Sequence, residues 1–417
     1  MSFPIAGVFR SLRGFNFRVW SAGALVSNVG TWMQRVAQDW LVLTQLTHHS
    51  AMAVGIVMAL QFGPQLLLLP WTGSAADRFD QRKLLMATQG AMGLCALVLG
   101  ALTVTGTARL WEVYLLTFLS GCAAAFDAPV RQTFVAALVG DEDLPNAVAL
   151  NSMSFNAAQL IGPAAAGLTI GAIGTGWAFI ANGISFGAVL VSLNFLRTAE
   201  LRHSARAGRH QGGFLGGFVE GLQYAWSRPD LKAILIMLFL FGIFGLNFPI
   251  FISTMAVRVF HTDARGFGLL SSIMAIGAVA GSLLAAARGR AGFGSLLIGA
   301  GVFGLGCVLA ALAPGYWVFA SGLIVMGVSA LTLTNGTNSL MQLSTAPSMR
   351  GRVMALRVAI ALGGAPIGSL ILGWVADRFG PRWTLGLGAG AGFAAAAIAA
   401  GFLARRRSQL LTPVHDK

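Results

Sequence analysis

Long apolar runs follow one another along almost the whole of this 417-residue chain. Hydrophobic residues make up 56% of it and charged residues only 10%, whereas soluble domains carry about 25% charged residues. A helix that crosses a bilayer needs about 20 mostly apolar residues, and lipid admits only helices or closed barrels. Because the runs lack the two-residue alternation of barrel strands, the sequence predicts an all-α polytopic membrane protein.

The runs predict 12 transmembrane helices in two pseudo-symmetric six-helix bundles. A polar stretch with apolar residues at helical spacing separates the two sets of runs. The predicted domains are an N-terminal bundle at 1–197, a cytoplasmic linker with an amphipathic helix at 198–231, and a C-terminal bundle with a short cytoplasmic tail at 232–417. The predicted spans lie at about 17–44, 51–72, 84–106, 111–134, 146–170, 176–196, 232–257, 266–286, 294–313, 315–342, 352–374 and 383–403.

The basic residues predict the orientation. Most of the 28 Lys and Arg residues fall in the terminal tails and the even-numbered loops. Cytoplasmic loops are enriched in Lys and Arg, so we expect a multi-pass protein of the cytoplasmic (inner) membrane with both termini in the cytoplasm. The net charge of +14 then reflects this topology and contact with membrane lipids. Nucleic acid is not an expected partner, because the basic residues are spread over many loops.

A charged decapeptide between two apolar runs occurs twice. The copy at 73–82 reads GSAADRFDQR, and the copy at 373–382 reads GWVADRFGPR. Repetition at corresponding places in two halves is typical of transporters built from repeats. The charge pattern places the first copy on the cytoplasmic side and the second on the outer side.

The first copy resembles the Gly-x-x-x-Asp-Arg-x-Gly-Arg-Arg signature of the major facilitator superfamily. It departs from the signature at Asp80 and Gln81. Strings at 27–40, 143–152 and 350–355 extend the resemblance over nearly the whole chain, to the enterobactin-exporter-like branch of transmembrane secretion effectors, also called the drug:proton antiporter-3 group. The positions that match the signature are Gly73, Asp77, Arg78 and Arg82.

A second motif resembles the antiporter branch of that superfamily. Gly162, Pro163 and Gly167 match its fifth-span Gly-Pro pattern, but Thr117 stands where drug antiporters often carry an Arg four residues before Gly121. The resemblance implies a monomer that exports a small molecule by alternating access, driven by proton entry. A drug-like compound, a siderophore or another metabolite is the implied substrate.

The polar residues of the first span share one helix face, because steps of three or four residues return to the same side. Arg35 and Asp39 lie one turn apart and could neutralise each other. A charge inside a span costs about 2.5–3.5 kcal/mol on insertion scales and is a functional candidate by default. We interpret this face as a proton or substrate site; a static ion pair between helices is the alternative. The predicted residues are Asn28, Trp32, Gln34, Arg35, Gln38 and Asp39.

Amides in two later spans are candidates for the same cavity. Asn247 stands two residues before Pro249, and this pair could break the seventh span. Asn335 and Asn338 share one face of the tenth span. The alternative is hydrogen bonding between helices, which contributes about 0.6 kcal/mol per group.

Two gates are also predicted. The resemblance places Asp127 beside the first decapeptide, where it would pair with Arg78 or Arg82 and close the cytoplasmic side. The second decapeptide would close the outer side. The alternative to the cytoplasmic gate is a loop with solvated charges. The alternative to the outer gate is a plain turn. The predicted cytoplasmic gate is Gly73, Asp77, Arg78, Arg82, Asp127 and Arg131, and the predicted outer gate is Asp377 and Arg378.

Several other functions are disfavoured by what the sequence lacks. It has no Gly-x-x-x-x-Gly-Lys-Ser/Thr loop, so ATP is not the expected energy source. Its three Cys and six His residues have no metal-ligand spacing, so we expect no metal, no cofactor and no catalytic residue. A lipid flippase or an importer on the same fold is the runner-up to an exporter. A membrane-embedded enzyme or a sensor is the alternative from another class.

Overall fold

The computed structural model describes residues 9–202, 214–287 and 292–411. Within these ranges, the side chains of residues 73, 74, 76–78, 214, 215, 217, 362 and 406–411 are not described. The described residues form helices and loops without a strand, which confirms the all-α prediction. The helices are α1 Phe15–Trp40, α2 Ala51–Leu67, α3 Leu69–Arg78, α4 Gln81–Val104, α5 Leu110–Leu138, α6 Leu144–Ile173, α7 Thr175–Phe195, α8 Phe214–Ser227, α9 Pro229–Phe244, α10 Phe248–Thr254, α11 Ala264–Ala287, α12 Phe293–Leu312, α13 Tyr316–Ser344, α14 Arg350–Phe379 and α15 Pro381–Leu411.

Nine segments of the described chain are long and apolar enough to cross a membrane, which makes the protein a multi-pass membrane protein. Three predicted spans fall outside this set. Helix α2 has only 17 residues, and α1 and α6 carry more polar side chains. The count of 12 therefore stays a prediction. The nine segments are Gln81–Val104, Leu110–Leu138, Thr175–Phe195, Pro229–Val259, Ala264–Ala287, Phe293–Leu312, Tyr316–Ser344, Arg350–Phe379 and Pro381–Arg405.

The chain divides into two compact units. The first contains residues 1–210 and 262–272, and the second contains 211–261 and 273–417. In the first unit α1 packs against α6 and α7, and α4 packs against α5 and α7. In the second unit α9 packs against α14 and α15, and α12 packs against α13 and α15. Each unit thus repeats one internal packing pattern, as expected for two related bundles.

Buried aromatic side chains hold the first unit together. Phe17 and Trp20 of α1 are fully buried beside Phe134 of α5 and Val189 of α7. The rings of Trp20 and Phe134 meet edge to face, with centroids 5.3 Å apart, a favoured geometry for aromatic pairs. These contacts fix one end of α1 and so set the position of the polar residues further along it.

The opening membrane helix of each unit departs from regular α-helix. Helix α1 continues into a π-helical turn at Leu41–Leu46. Helix α9 stops at Phe244, the chain resumes in α10, and a second π-helical turn follows at Met255–Val259. Pro249 explains the break, because it has no N–H to continue the helical hydrogen bonds. Single π-helical turns often lie at functional sites.

The second predicted span is also interrupted. The sequence predicts one helix over 51–72, but the structure ends α2 at Leu67 and starts α3 at Leu69. Pro70 lies in the first turn of α3, where a missing N–H costs nothing and where proline commonly begins a helix. The residue therefore acts as a start signal within the apolar run.

Candidate functional site

The polar face of α1 contributes to two separate networks. Asn28 lies half-buried near the middle of the helix, and Arg35 lies two turns further along. Seven residues of α-helix span about 10 Å. The two side chains consequently share a face but have different neighbours, so the single site predicted from the sequence is divided along the helix axis.

Arg35 is held by aromatic rings. Its Cζ atom lies 4.6 Å from the ring centroid of Trp32 and 5.5 Å from that of Phe62. Its Nε atom is buried and has no hydrogen-bond partner among the described residues. Trp32 packs edge to face on Phe155, with ring centroids 5.8 Å apart. Cation–π contact with aromatic rings stabilises a guanidinium in an apolar setting and leaves its N–H groups unused.

Arg35 lines a cavity within the first unit that has several polar side chains in its wall. The cavity has a volume of about 60 Å³, and helices α1, α2, α4, α5 and α7 surround it. The amide of Gln38 donates a hydrogen bond to the hydroxyl of Thr117, and the amide of Asn182 donates one to the carbonyl of Gln34. The lining residues are Thr31, Gln34, Arg35, Gln38, Gln61, Gln65, Met92, Thr117, Ser120, Gly121, Ala124, Asn182 and Phe186.

Asp39 lies one turn beyond Arg35 and keeps only 7% of its surface exposed. Within the described part of the chain no hydrogen bond or ion pair joins Asp39 to another side chain. Arg35 and Asp39 therefore form no direct ion pair with each other in this structure.

Asn28 belongs to a network around Asp127. The carboxylate of Asp127 accepts hydrogen bonds from Arg131 Nη2 at 2.7 Å, from Gln89 Nε2 at 2.7 Å and from the Thr88 hydroxyl at 3.0 Å. Arg131 Nη1 donates to the Asn28 side-chain carbonyl at 3.1 Å. Asp127 is only 5% exposed. A buried charge is stable when it is paired and hydrogen-bonded, and this network, which joins α1, α4 and α5, meets both conditions.

The described members of the predicted cytoplasmic gate make two separate sets of contacts. Arg82 donates from Nε to the carbonyl of Leu193 at 2.8 Å and from Nη2 to Asn194 at 3.4 Å, so it ties α4 to α7. Asp127 pairs with Arg131 instead of Arg82. The side chains at 73, 77 and 78, which carry the rest of the predicted gate, lie outside the described residues.

The Gly-Pro motif brings α6 close to α1. A Cβ atom at Gly162 would overlap Cβ of Trp32 and would lie 3.0 Å from the backbone nitrogen of Met33. A Cβ atom at Gly167 would lie 2.8 Å from the carbonyl oxygen of Ala264. Pro163 is buried inside α6. The motif therefore permits the close approach that positions Trp32 beneath Arg35.

Substituting Gly162 by Ala should destabilise the protein, because overpacking a tight contact typically costs about 1–3 kcal/mol. Gly187 of α7 is the matched control, since a Cβ atom there would have nothing within 4 Å. Gly187→Ala should be neutral or slightly stabilising, as Ala is favoured over Gly in helices by about 0.5–1 kcal/mol. Thermal unfolding of the purified variants in detergent measures both; equal midpoints would contradict the packing role of Gly162.

Two of the three amides predicted in later spans form hydrogen bonds. Asn247 is fully buried at the break before α10, and its Nδ2 donates to the carbonyl of Ile243 at 2.6 Å. Asn338 accepts a hydrogen bond of 3.5 Å from Gln342. Asn335 is half-buried on the same helix, α13. Neither α13 residue lines the cavity around Arg35.

The predicted outer gate contains an ion pair within the second unit. Arg258 Nη1, on the π-helical turn after α10, lies 3.0 Å from Asp377 Oδ1 and also donates to the carbonyl of Ala376 at 3.0 Å. Arg378 is exposed. The pair joins the turn to the end of α14. The sequence analysis did not select Arg258 as a residue of the outer gate.

Sequence reasoning also missed three amide side chains that line the cavity. Gln61 and Gln65 stand one turn apart in an otherwise apolar helix, and Asn182 interrupts another apolar run. Isolated amides at helical spacing in a membrane span were the available signal, since such groups face a cavity or another helix.

Comparison with known proteins supports a transporter. The chain is 28% identical over 258 residues to a staphyloferrin A transporter of Staphylococcus aureus; the match covers 61% of this chain and 63% of the relative's length. It is 26% identical over 348 residues to an enterobactin exporter of Shigella flexneri, with 82% of this chain and 80% of the relative covered.

Solved structures share the fold. A bacterial homologue of the human lysosomal transporter Spinster, crystallised in an inward-facing and unoccupied conformation, superposes with a TM-score of 0.71 at 16% identity, covering 94% of this chain and 96% of the other. The family described as transmembrane secretion effector matches residues 6–411. This match spans nearly the whole sequence and both decapeptides, and it confirms the resemblance found in the motifs. The chain therefore belongs to the transmembrane secretion effector family of the major facilitator superfamily.

Proposed function

We propose that this protein exports a small molecule across the cytoplasmic (inner) membrane by alternating access, in exchange for protons. The observation that carries the proposal is the buried, unpaired carboxyl of Asp39 one turn from Arg35, which lines a polar cavity. One relative bears the name of an enterobactin exporter, which supports export as the direction. A siderophore, a drug-like compound or another metabolite is the proposed cargo, and both termini are proposed to lie in the cytoplasm.

Asp39 is the proposed proton carrier. A carboxyl group can bind a proton as a neutral acid and release it as an anion, and the cost of burying the anion depends on the charges near it. Arg35 on the same helix supplies one such charge. Proton binding at Asp39 and ligand binding beside Arg35 can therefore influence each other, which is what coupled exchange requires.

The two predicted gates are part of the same proposed transport cycle. The cytoplasmic gate would use the first decapeptide with Asp127 and Arg131, and the outer gate would use Asp377 and Arg378. A gate contributes to alternating access only if its contacts differ between the two states. Charged pairs that form and break meet this condition, and the Arg258–Asp377 pair is partly exposed.

The test of this function is transport in everted membrane vesicles. With the vesicle lumen acidified, a substrate should accumulate inside while the pH difference partly collapses, because protons leave as substrate enters. A difference of one pH unit corresponds to about 1.4 kcal/mol and can sustain about tenfold accumulation at one proton per substrate. A pH-sensitive dye and a panel of siderophores and drugs supply the measurement.

Vesicles without the protein are the control. Substrate movement that ignores the pH difference would contradict proton exchange. Accumulation only in right-side-out vesicles would identify an importer instead, and movement of labelled lipid between leaflets would identify a flippase.

A further inference from the structure

We propose that the cavity in the first unit binds a carboxylate group of the transported substrate through Arg35. This inference rests on the proposed function, because it names the chemical class of substrate for the same site. It follows from four features of the cavity: the unused N–H groups of the guanidinium, the unused amide donors in the same lining, the charge of the lining and the volume.

The N–H groups of the Arg35 guanidinium make no hydrogen bond to a described residue, although two aromatic rings lie close to it. The rings of Trp32 and Phe62 lie 4.6 Å and 5.5 Å from its Cζ atom. A cation–π contact does not use a conventional hydrogen-bond acceptor, so these contacts leave the N–H donors of the guanidinium unoccupied. Arg35 makes no hydrogen bond or ion pair with another described residue. The planar fork matches the two oxygens of a carboxylate.

Amide donors line the same cavity. The carbonyl of Gln34 is already occupied, since it accepts a hydrogen bond from Asn182, but its NH₂ group is not used. The side chains of Gln61 and Gln65 also line the cavity and have no hydrogen-bond partner within the described residues. A glutamine NH₂ group can donate two hydrogen bonds. Neutral donors of this kind stabilise an anion without adding a second charge to the membrane interior.

The charge of the lining favours an anion. Arg35 supplies the one charged side chain among the lining residues, and none of them is Asp or Glu. Thr117, which stands at the position where related antiporters often carry an Arg, contributes a hydroxyl. Asp39 lies one turn away on α1 but is not among the lining residues, so a cationic ligand in the cavity would meet the positive charge of Arg35, whereas an anionic ligand would pair with it. Pairing lowers the cost of burying a charge, so the lining favours a carboxylate.

The volume indicates which part of the ligand binds. A cavity of about 60 Å³ accommodates a small group such as a carboxylate. Pockets that enclose a drug-sized molecule measure about 300–1,000 Å³. The cavity therefore recognises one end of the substrate and selects for its chemistry, while the rest of the molecule lies outside it.

The test is equilibrium binding to purified full-length protein in detergent micelles, without any pH difference. The probes are radiolabelled citrate, malonate and benzoate, each compared with its methyl ester, and tetraphenylphosphonium as a lipophilic cation. We expect at least one carboxylate to bind and to compete with its unlabelled form. The corresponding ester and the cation should bind more weakly by at least about tenfold, because charge-assisted hydrogen bonds are lost.

Substitutions of Arg35 test whether this residue binds the carboxylate. Arg35→Gln should weaken carboxylate binding by at least about tenfold, and Arg35→Lys should fall between, because it keeps the charge but loses the planar fork. Arg18→Gln is the matched control, since Arg18 is an exposed arginine of the same helix. Elution as a single species and an unchanged melting temperature exclude misfolding of the variants.

Unchanged binding in Arg35→Gln, equal binding of acid and ester, or no binding by any of the three carboxylates would each overturn the inference. Because the assay contains no gradient, these outcomes are independent of the proton-exchange experiment. Gradient-driven export of a cationic substrate alone would leave the proposed function intact and reject the carboxylate.

Discussion

Vesicles that contain Asp39→Asn should fail to concentrate substrate when a pH difference is applied, although they should still exchange labelled for unlabelled substrate. Asparagine has nearly the same shape as aspartate and can accept hydrogen bonds, but its amide does not take up a proton at physiological pH. The loss should equal the whole accumulation that the gradient supports, about tenfold per pH unit at one proton per substrate. Gradient-driven uptake and exchange at zero gradient, measured on the same vesicles, separate coupling from binding.

The pH dependence of the exchange rate is a second measurement on the Asp39→Asn variant. In the parent protein the rate should depend on pH, because Asp39 changes its charge, and in Asp39→Asn this dependence should disappear. Arg18→Gln serves as control for the loss of a charge on α1 outside the cavity. Accumulation of substrate by Asp39→Asn against its gradient would show that another group carries the proton.

Asp127→Ala should be the most destabilising single substitution of a charged residue in the first unit. It would leave Arg131 and the amide of Gln89 without their acceptor in a buried site. Removing one partner of a buried ion pair typically costs about 3–5 kcal/mol. Since the Arg131 side chain keeps 19% of its surface exposed, we expect a loss toward the lower end of this range. Equilibrium unfolding in mixed micelles measures it.

Two further variants test the role of the buried pair between Asp127 and Arg131. Asp127→Ala combined with Arg131→Leu should recover part of the stability, because no unpaired charge remains. Asp377→Ala removes a partner of the exposed Arg258 pair, and such pairs contribute about 0–1 kcal/mol. Similar losses for Asp127→Ala and Asp377→Ala would contradict the structural role assigned to Asp127.

The helical fold could be predicted because membrane spans are encoded locally. Each apolar run must satisfy its own backbone hydrogen bonds in lipid, so the run and the helix coincide. Pro249 also predicted the break in the seventh span. The interruption at Leu68 was not predicted, because Pro70 is compatible with both a helix start and an uninterrupted apolar run.

The site was predicted less completely than the fold. A helix-face argument selected Arg35 and Gln38, which line the cavity, but it grouped them with Asn28, which bonds to Arg131. The spacing of polar residues shows on which side of a helix they lie. It does not show which neighbours they contact along the helix axis. The contributions of Gln61 and Asn182 depend on which helices pack together, and one sequence does not contain that information. For the same reason Asp127 was assigned to Arg78 or Arg82.

Helix α1 is one continuous α-helix that carries both Asn28 and Arg35. If the helix rotates or shifts as a unit, a movement that alters the contacts of Arg35 also alters those of Asn28, about 10 Å away. Thermodynamic linkage is reciprocal. If a bound anion at Arg35 strains the bond between Asn28 and Arg131, then strengthening that bond must weaken anion binding by the same free energy. Under that condition the affinity for the anion would also depend on Asn28 and Arg131, which do not line the cavity.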